Sequence, residues 1–316
     1  PGVVSAMLIF MVRRFGTMIL TMLVVSILVF LLLEINVEGV ATKVLGPYTS
    51  QEQREIWLRE NGYLDPAIWR YLRWLGNFVI GDFGQSVRFK VPVSDVLWPR
   101  LGNTAILGGV ALLIASIIGL TLGVIAGMRE GGTRDRVVSV SAILTTSVPE
   151  FASAVFLIGL FVFQLQWLPG TSGMADGFDP VQLVLPVMVL VIYDWGYIAR
   201  MTRASMAEVM MTHYIRTAVL KGLPYGQVIR KHALRNALIA PFTVIMLQIN
   251  WLLSGVIVVE WAFGYKGFGA LLYEASLNQD IFLIEACAMV AVFVAVMTQT
   301  LADIGYTYLN PRIRFS

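Results

Sequence analysis

Residues 101–128 read LGNTAILGGVALLIASIIGLTLGVIAGM, with no charged side chain between Arg100 and Arg129. A helix rises ~1.5 Å per residue and crosses the hydrocarbon core of a bilayer with ~20 apolar residues. This run is long enough to do so, and it has company. Phe15 to Leu33 is also free of charge, as is the stretch between Glu285 and Asp303. Three further windows qualify, so the predicted spans are 11–33, 103–128, 137–163, 181–200, 237–260 and 284–305. The third carries one charge, Glu150, and the fourth carries Asp194. The expectation is an all-α integral membrane protein with six transmembrane helices.

The composition agrees with lipid as the solvent. Of 316 residues, 57% are hydrophobic and 14% charged, less charged surface than a water-soluble domain of this size needs. A net charge of +3 without a dense basic, aromatic-interleaved patch argues against nucleic-acid binding. One cysteine, Cys287, excludes an intrachain disulfide, and two histidines, His213 and His232, make a histidine metal site improbable. The first apolar run follows Arg13 and Arg14 like a signal peptide, but it is too long and no small-residue cleavage site follows, so a retained anchor is expected.

Lys and Arg in the short connections set the orientation. The N-terminus, 129–136, 200–236 and the C-terminus hold the basic residues, whereas 165–180 and 264–280 hold only Lys266. Both termini are therefore expected in the cytoplasm. The long segment 34–100 has eight basic and eight acidic residues and weighs little in this rule. It is expected outside, and helical. Ser50 to Gln53 form a capping box, Asn61-Gly62 stops that helix, and Asp65 as cap with Pro66 at the first position starts another. In the second helix Ile68, Tyr71, Leu72, Leu75, Phe78 and Val79 fall at helical spacing, and Trp57, Trp69 and Trp74 suit a membrane interface.

The stretch Arg200 to Pro241 reads RMTRASMAEVMMTHYIRTAVLKGLPYGQVIRKHALRNALIAP. Thr212 is placed to cap a short helix from His213 to Lys221, where a cation suits the last turn. Gly222 supplies its stop, and Pro224 opens a second helix that runs into the fifth span. A short amphipathic helix between two hinges can transmit force to the membrane part; a basic, solvated loop obeying the charge rule is the other reading. The stretch resembles the ATPase-coupling loop of ATP-binding-cassette (ABC) importer permeases, whose signature is Glu-Ala-Ala, three residues, Gly, nine residues, Ile-x-Leu-Pro. Arg216-Thr217-Ala218 falls on the triplet, Gly222 on the Gly, and His232-x-Leu234-Arg235 on the tail. The departures Arg216, Thr217, His232 and Arg235 match the version found in the dipeptide and oligopeptide (and nickel) permeases, B-type subunit. GDFGQS at 81–86, RMTRASM at 200–206 and NPRIR at 310–314 fit the same family.

The resemblance implies a type I importer transmembrane fold, with 101–306 as permease core, 1–100 as an added helix plus external segment, and 307–316 as a cytoplasmic tail. It implies two permease subunits, two ATPase subunits that bind ATP and Mg, and an extracytoplasmic substrate-binding protein, in a bacterial inner membrane. The expected coupling residues are His213, Tyr214, Ile215, Arg216, Thr217, Ala218, Lys221, Gly222 and Leu223. Nowhere does Gly precede Lys, so no Walker A loop is present and no cofactor is expected in this chain.

Polar groups inside the spans are costly and point to function. Glu150, Asp194, Gln248, Asn250 and Gln299 are candidate pathway residues. Pro149 is expected to kink the third span, with Ser147, Glu150 and Ser153 along one stripe. On straight helices Glu150 lies roughly 20 Å from the cytoplasmic start of its helix and Asp194 about 9 Å from Arg200, which separates them in depth. The family pattern is typically apolar at 150 and 194, so no role carries over. Glu150 either meets a cationic or amine-bearing solute or pairs with the second permease subunit. Gly264, Gly267 and Gly269 are expected as turn residues, because no strand precedes them. An ion- or proton-coupled secondary transporter is the alternative, but no inverted repeat is evident, and no nucleophile–base set suggests an enzyme.

Overall fold

The computed structural model describes residues 2–34, 36–174 and 177–309, the side chains of 2–10, 250, 252–255 and 306–309 excepted. Among the described residues the regular structure is helical, with a single isolated antiparallel bridge between Gln85 and Pro92. The helices are α1 (Gly2–Glu34), α2 (Val37–Leu45), α3 (Gln51–Glu60), α4 (Ala67–Ile80), α5 (Val93–Gly127), α6 (Thr133–Ser147), α7 (Glu150–Leu157), α8 (Pro180–Met210), α9 (His213–Leu220), α10 (Tyr225–Gln227), α11 (Leu234–Ala237), α12 (Ile239–Phe263), α13 (Phe268–Leu277) and α14 (Ile281–Leu309). π-helical segments, Ile158–Gln164 and Val228–Ala233, follow α7 and α10.

Four of these are long and apolar enough to cross a membrane: α1, α5, α8 and α14. The expected spans 137–163 and 237–260 are not straight rods. The chain turns by 96° between α6 and α7, by 48° between α11 and α12, and by 80° between the end of α12 and α13. Pro149 is the physical cause of the first turn. Its ring cannot donate an N–H and holds the backbone extended at φ −59°, ψ 144°, and the preceding Val148 is extended as well. The break also removes the expected polar stripe, since Ser147 ends one helix and Ser153 belongs to the next.

The chain divides into two compact units. The first comprises the residues up to Asn103 together with Gly267–Met297. Its segment 37–80 is helical as expected, and the capping box is complete, with Ser50 and Gln53 each donating a backbone N–H to the other's side chain at 3.3 Å. α3 stops at Asn61, and Gly62 takes φ +70°. The next start is shifted by one residue: Pro66 is the cap, and Asp65 pairs instead with Arg73 at 2.7 Å. The apolar face of α4 is also divided. Tyr71 and Phe78 pack inward with Phe30 and Phe83, whereas Ile68, Leu72 and Val79 stay exposed. Trp74 is drawn in too, its indole N–H donating to the Glu285 carboxylate at 2.9 Å, and Trp57 stacks on Tyr63; only Trp69 of the three tryptophans is broadly exposed.

In the second unit, Thr104–Lys266 with residues from Thr298 on, α8 is the central element. Leu185, Leu190 and Ile198 of this helix are buried with Leu107, Ala111 and Ala115 of α5 and Val256 and Phe263 of α12. Gly119, Gly123 and Gly127 line the contact of α5 with α8. A Cβ at these positions would lie 2.7 Å from Ile198 Cβ, 2.5 Å from Thr202 Cβ and 2.6 Å from the Arg203 carbonyl oxygen, respectively. Glycine every fourth residue lets two backbones meet, which is how membrane helices associate when lipid supplies no hydrophobic drive. On another side of α8, Gly196 meets Thr146 and Ala142 of α6 in the same manner. After α12, Gly264 takes the left-handed cap (φ +62°) and Gly267 precedes α13, but Gly269 is buried inside α13 rather than in a turn.

Candidate functional site

α8 does not end at Arg200. It continues to Met210, so the RMTRASM segment is helix and the first break comes at Met211–Thr212. α9 follows at once. Thr212 occupies its cap position with extended backbone, but no side-chain cap bond forms, because its hydroxyl donates back to the Val209 carbonyl at 2.6 Å. The helix stops at Leu220, one residue early, and Gly222 at φ +75° turns the chain as expected.

Each face of α9 has a distinct environment. Ile215 and Ala218 are buried, Ile215 at 2% exposure, in a cluster with Met206 of α8 and Val228, Ile229, Ala233 and Ala237 beyond Pro224. His213, Tyr214, Arg216, Thr217, Val219, Lys221 and Gly222 are exposed, and Leu220 is 78% exposed; Leu223 packs partly against the cluster. Two hydrogen bonds fix the neighbourhood. Asn236 donates its amide to the Tyr214 hydroxyl at 2.9 Å, and Tyr225 donates its hydroxyl to the Met128 carbonyl at 3.2 Å. The segment is therefore a knob with a mixed basic and apolar outer surface, anchored by its buried face to the ends of α5, α8 and the helix leading to α12.

A third fastening lies close by. Arg203 donates to both oxygens of Asp135 at 2.8 Å, and to Glu130 at 3.2 Å. Asp135 is buried and also accepts from the Gly131 N–H at 2.8 Å and the Ser139 hydroxyl at 3.2 Å. A forked guanidinium on a carboxylate fixes orientation as well as distance. It ties the connection after α5 and the start of α6 to α8, about three turns of chain before the knob. Removing one member of such a pair strands the other, at a cost of about 3 kcal/mol. Asp135→Ala is expected to lower the thermal unfolding midpoint of the detergent-solubilised protein by about 5 °C or more. A midpoint unchanged within error would show that the pair carries no stability.

Among the pathway candidates, the structure brings together Glu150, Asp194 and Gln248. The 96° turn removes the straight helix on which the separation in depth was argued: Glu150 opens α7, which packs against both α8 and α12. Asp194 is fully buried. Its Oδ1 accepts from the Gln248 amide at 2.6 Å, and its Oδ2 has no hydrogen-bond partner. Tyr193 stacks on Trp251 at 4.9 Å and faces Tyr197 at 5.9 Å. Gln299 is elsewhere, donating to Asp303 one turn along α14 at 3.1 Å. The side chain of Asn250 and the segment NPRIR at 310–314 lie outside the described residues.

A family model described as the binding-protein-dependent transport system inner membrane component matches residues 119–315. The chain belongs to this family. The matched region holds α6 to α14, the knob and the polar cluster. A probable peptide ABC transporter permease protein, y4tP of Sinorhizobium fredii (strain NBRC 101917 / NGR234), is 33% identical over 312 residues, 97% of this chain and 99% of the relative. The glutathione transport system permease protein GsiC of Shigella flexneri serotype 5b (strain 8401) is 33% identical over 309 residues, 98% of this chain and 100% of the relative. Among solved structures, the MetNI methionine ABC transporter superposes with a TM-score of 0.55 over 68% of this chain and 96% of that one at 19% identity, a likeness of fold. The chain is thus a multi-pass membrane permease component of an ABC transport system.

Two features of this permease were open to sequence reasoning and escaped it. Glycine at 119, 123 and 127 is a spacing of four, the mark of close helix contact. Arg203 and Asp135 both lie at span ends and read simply as loop charge until α8 is known to continue past Arg200.

Proposed function

We propose that this permease forms half of the translocation path of an ATP-driven importer for peptides or similar small solutes, and that α9 seats in an ATPase subunit. The observation that carries the reading is the exposed apolar tip of α9 on a helix whose other face is buried. A solvated loop has no reason to present Leu220, Val219 and Tyr214 outward while anchoring Ile215 and Ala218; a docking surface does. In this reading the permease crosses the bacterial inner membrane six times, the bent pairs α6–α7 and α11–α12 completing the spans, with both termini in the cytoplasm and 34–100 outside. It pairs with a second, homologous permease subunit, takes its solute from an extracytoplasmic binding protein, and leaves ATP and Mg to two ATPase subunits. The relatives named for peptide and glutathione transport support peptides as the solute class.

Co-expression with candidate ATPase subunits and a second permease tests the reading. The expected result is a complex that survives detergent purification and hydrolyses ATP faster when solute-loaded binding protein is added. Uptake that follows a proton or ion gradient without ATP would instead establish a secondary transporter.

A further inference from the structure

α7, α8 and α12 meet around a group of polar side chains inside the apolar part of the second unit. Glu150 comes from the first turn of α7, Asp194 from the middle of α8, and Gln248 and Trp251 from α12. Two carboxylates share this place, yet among the described residues neither has a cationic partner: every ion pair is made by other groups. Gln248 satisfies one oxygen of Asp194 and leaves Oδ2 buried without a hydrogen bond. An unpaired buried carboxylate is among the most costly groups a fold can hold, and two that feel each other cost more. Such an arrangement inside a membrane protein is relieved by protonation of the acids or by a positive charge from outside the chain.

The surroundings say what kind of cation. Tyr193 and Trp251 are stacked with planes 16° apart, and Tyr197, beside Tyr193, is exposed. Aromatic faces next to carboxylates are the recognition chemistry of organic ammonium groups, since ring quadrupole and carboxylate both attract a cation while the rings accept its apolar flanks. A small hydrated metal ion would seek several oxygen ligands instead, and no cluster of three candidate metal-ligating residues occurs among the described residues. Glu150 is half-buried and Asp194 fully buried.

We infer that Glu150 and Asp194, with Tyr193, Tyr197 and Trp251, form a site for a protonated amine, and that the permease passes solutes carrying a free amino group in preference to those without one. The inference rests on the import reading and deepens it: it names the part of a peptide that the membrane path recognises.

Proteoliposomes holding the complete importer with its binding protein test it, using trialanine and N-acetyl-trialanine, which differ in the ammonium group. The unaltered importer is expected to favour trialanine. In the Glu150→Gln/Asp194→Asn double variant the ratio of trialanine to N-acetyl-trialanine uptake is expected to fall about tenfold. Glu150→Gln alone, at a half-buried position that folding tolerates better, should lower the same ratio by about threefold. A ratio unchanged in both variants would overturn the assignment. So would loss of the second permease from the purified variants, which would make the two acids partners of that subunit. If the unaltered importer takes up neither tripeptide on addition of ATP, the peptide-import reading itself falls and the amine site with it.

Discussion

Replacing Gly123 by leucine is expected to abolish transport and to remove the folded chain from the membrane fraction. The reason is geometric. A bare Cβ at this position would already lie 2.5 Å from Thr202 Cβ and 2.7 Å from the Ala199 carbonyl oxygen. A side chain end can swing away, but a carbonyl in the middle of α8 moves only if the whole helix moves. Movement of α8 is also restricted at Gly196, which packs against Ala142, again by a backbone carbonyl, at 2.8 Å for a notional Cβ. Overpacking in a core that can repack costs about 1–3 kcal/mol; here the larger value or more is expected, a large part of a typical folding stability of about 5–15 kcal/mol. Gly123→Ala should give an intermediate loss. Gly109 lies on the same helix with nothing within 4 Å of a notional Cβ, and Gly109→Ala should be neutral or stabilising by up to about 1 kcal/mol from helix propensity. Thermal unfolding of the detergent-solubilised series reads the ranking directly. Equal midpoints for Gly123→Ala and Gly109→Ala would refute the close-contact account.

Leu220→Asp is expected to produce the opposite kind of failure: a folded permease that no longer drives or receives ATP hydrolysis. Leu220 is 78% exposed at the last residue of α9, so the substitution should change stability by no more than about 0.5 kcal/mol. A carboxylate set into an apolar interface is different, because it must be desolvated without a partner. Loss of a central contact in an interface costs about 2–4 kcal/mol, equivalent to a fall in ATPase affinity of about 30-fold to 1,000-fold. Binding-protein-stimulated hydrolysis should fall to the unstimulated rate while the chain remains in the membrane at normal abundance. Ile215→Asp, about one and a half turns away on the same short helix, should instead lower abundance, since Ile215 is buried in the cluster with Met206 and Val228. Were Leu220→Asp to leave stimulated hydrolysis untouched, the docking face would have to lie elsewhere on α9.

These two experiments separate roles that residue type alone does not. Leu220 and Ile215 are both aliphatic residues of one short helix, five positions apart, yet Leu220 is exposed and Ile215 buried. The periodic pattern of 213–222 shows that one face is apolar. It does not say that Val219 and Leu220 lie beyond that face, because the helix ends at Leu220 and the chain turns through Gly222.

Much was legible in the sequence where a single physical rule dominates. Charge-free windows mark α1, α5 and α14 because lipid cannot solvate charge. Ser50 to Gln53 mark a helix start, and Asn61-Gly62 a stop, because backbone groups at helix ends need local partners. Pro149 marks a break because its ring forbids the helical bond. In each case the cause lies within a few residues of its effect. The family resemblance, likewise local in its motifs, led to the correct transport class.

What the tertiary structure decided depends on residues far apart in the chain. The kink at Pro149 was foreseeable, but its 96° size was not, and that angle converts two acids judged to lie at separate depths into one polar cluster. The glycine seam is meaningful because Ile198, Thr202 and Arg203 stand opposite it. Trp74 turns inward because Glu285, over two hundred residues later, accepts its N–H. Sequence by itself determined which segments leave water and where helices begin and stop, since those are matters of solvation and of local backbone bonding. Which polar groups face each other, and which apolar ones are left facing outward, was decided only by packing, since it depends on the angle and closeness at which one helix crosses another.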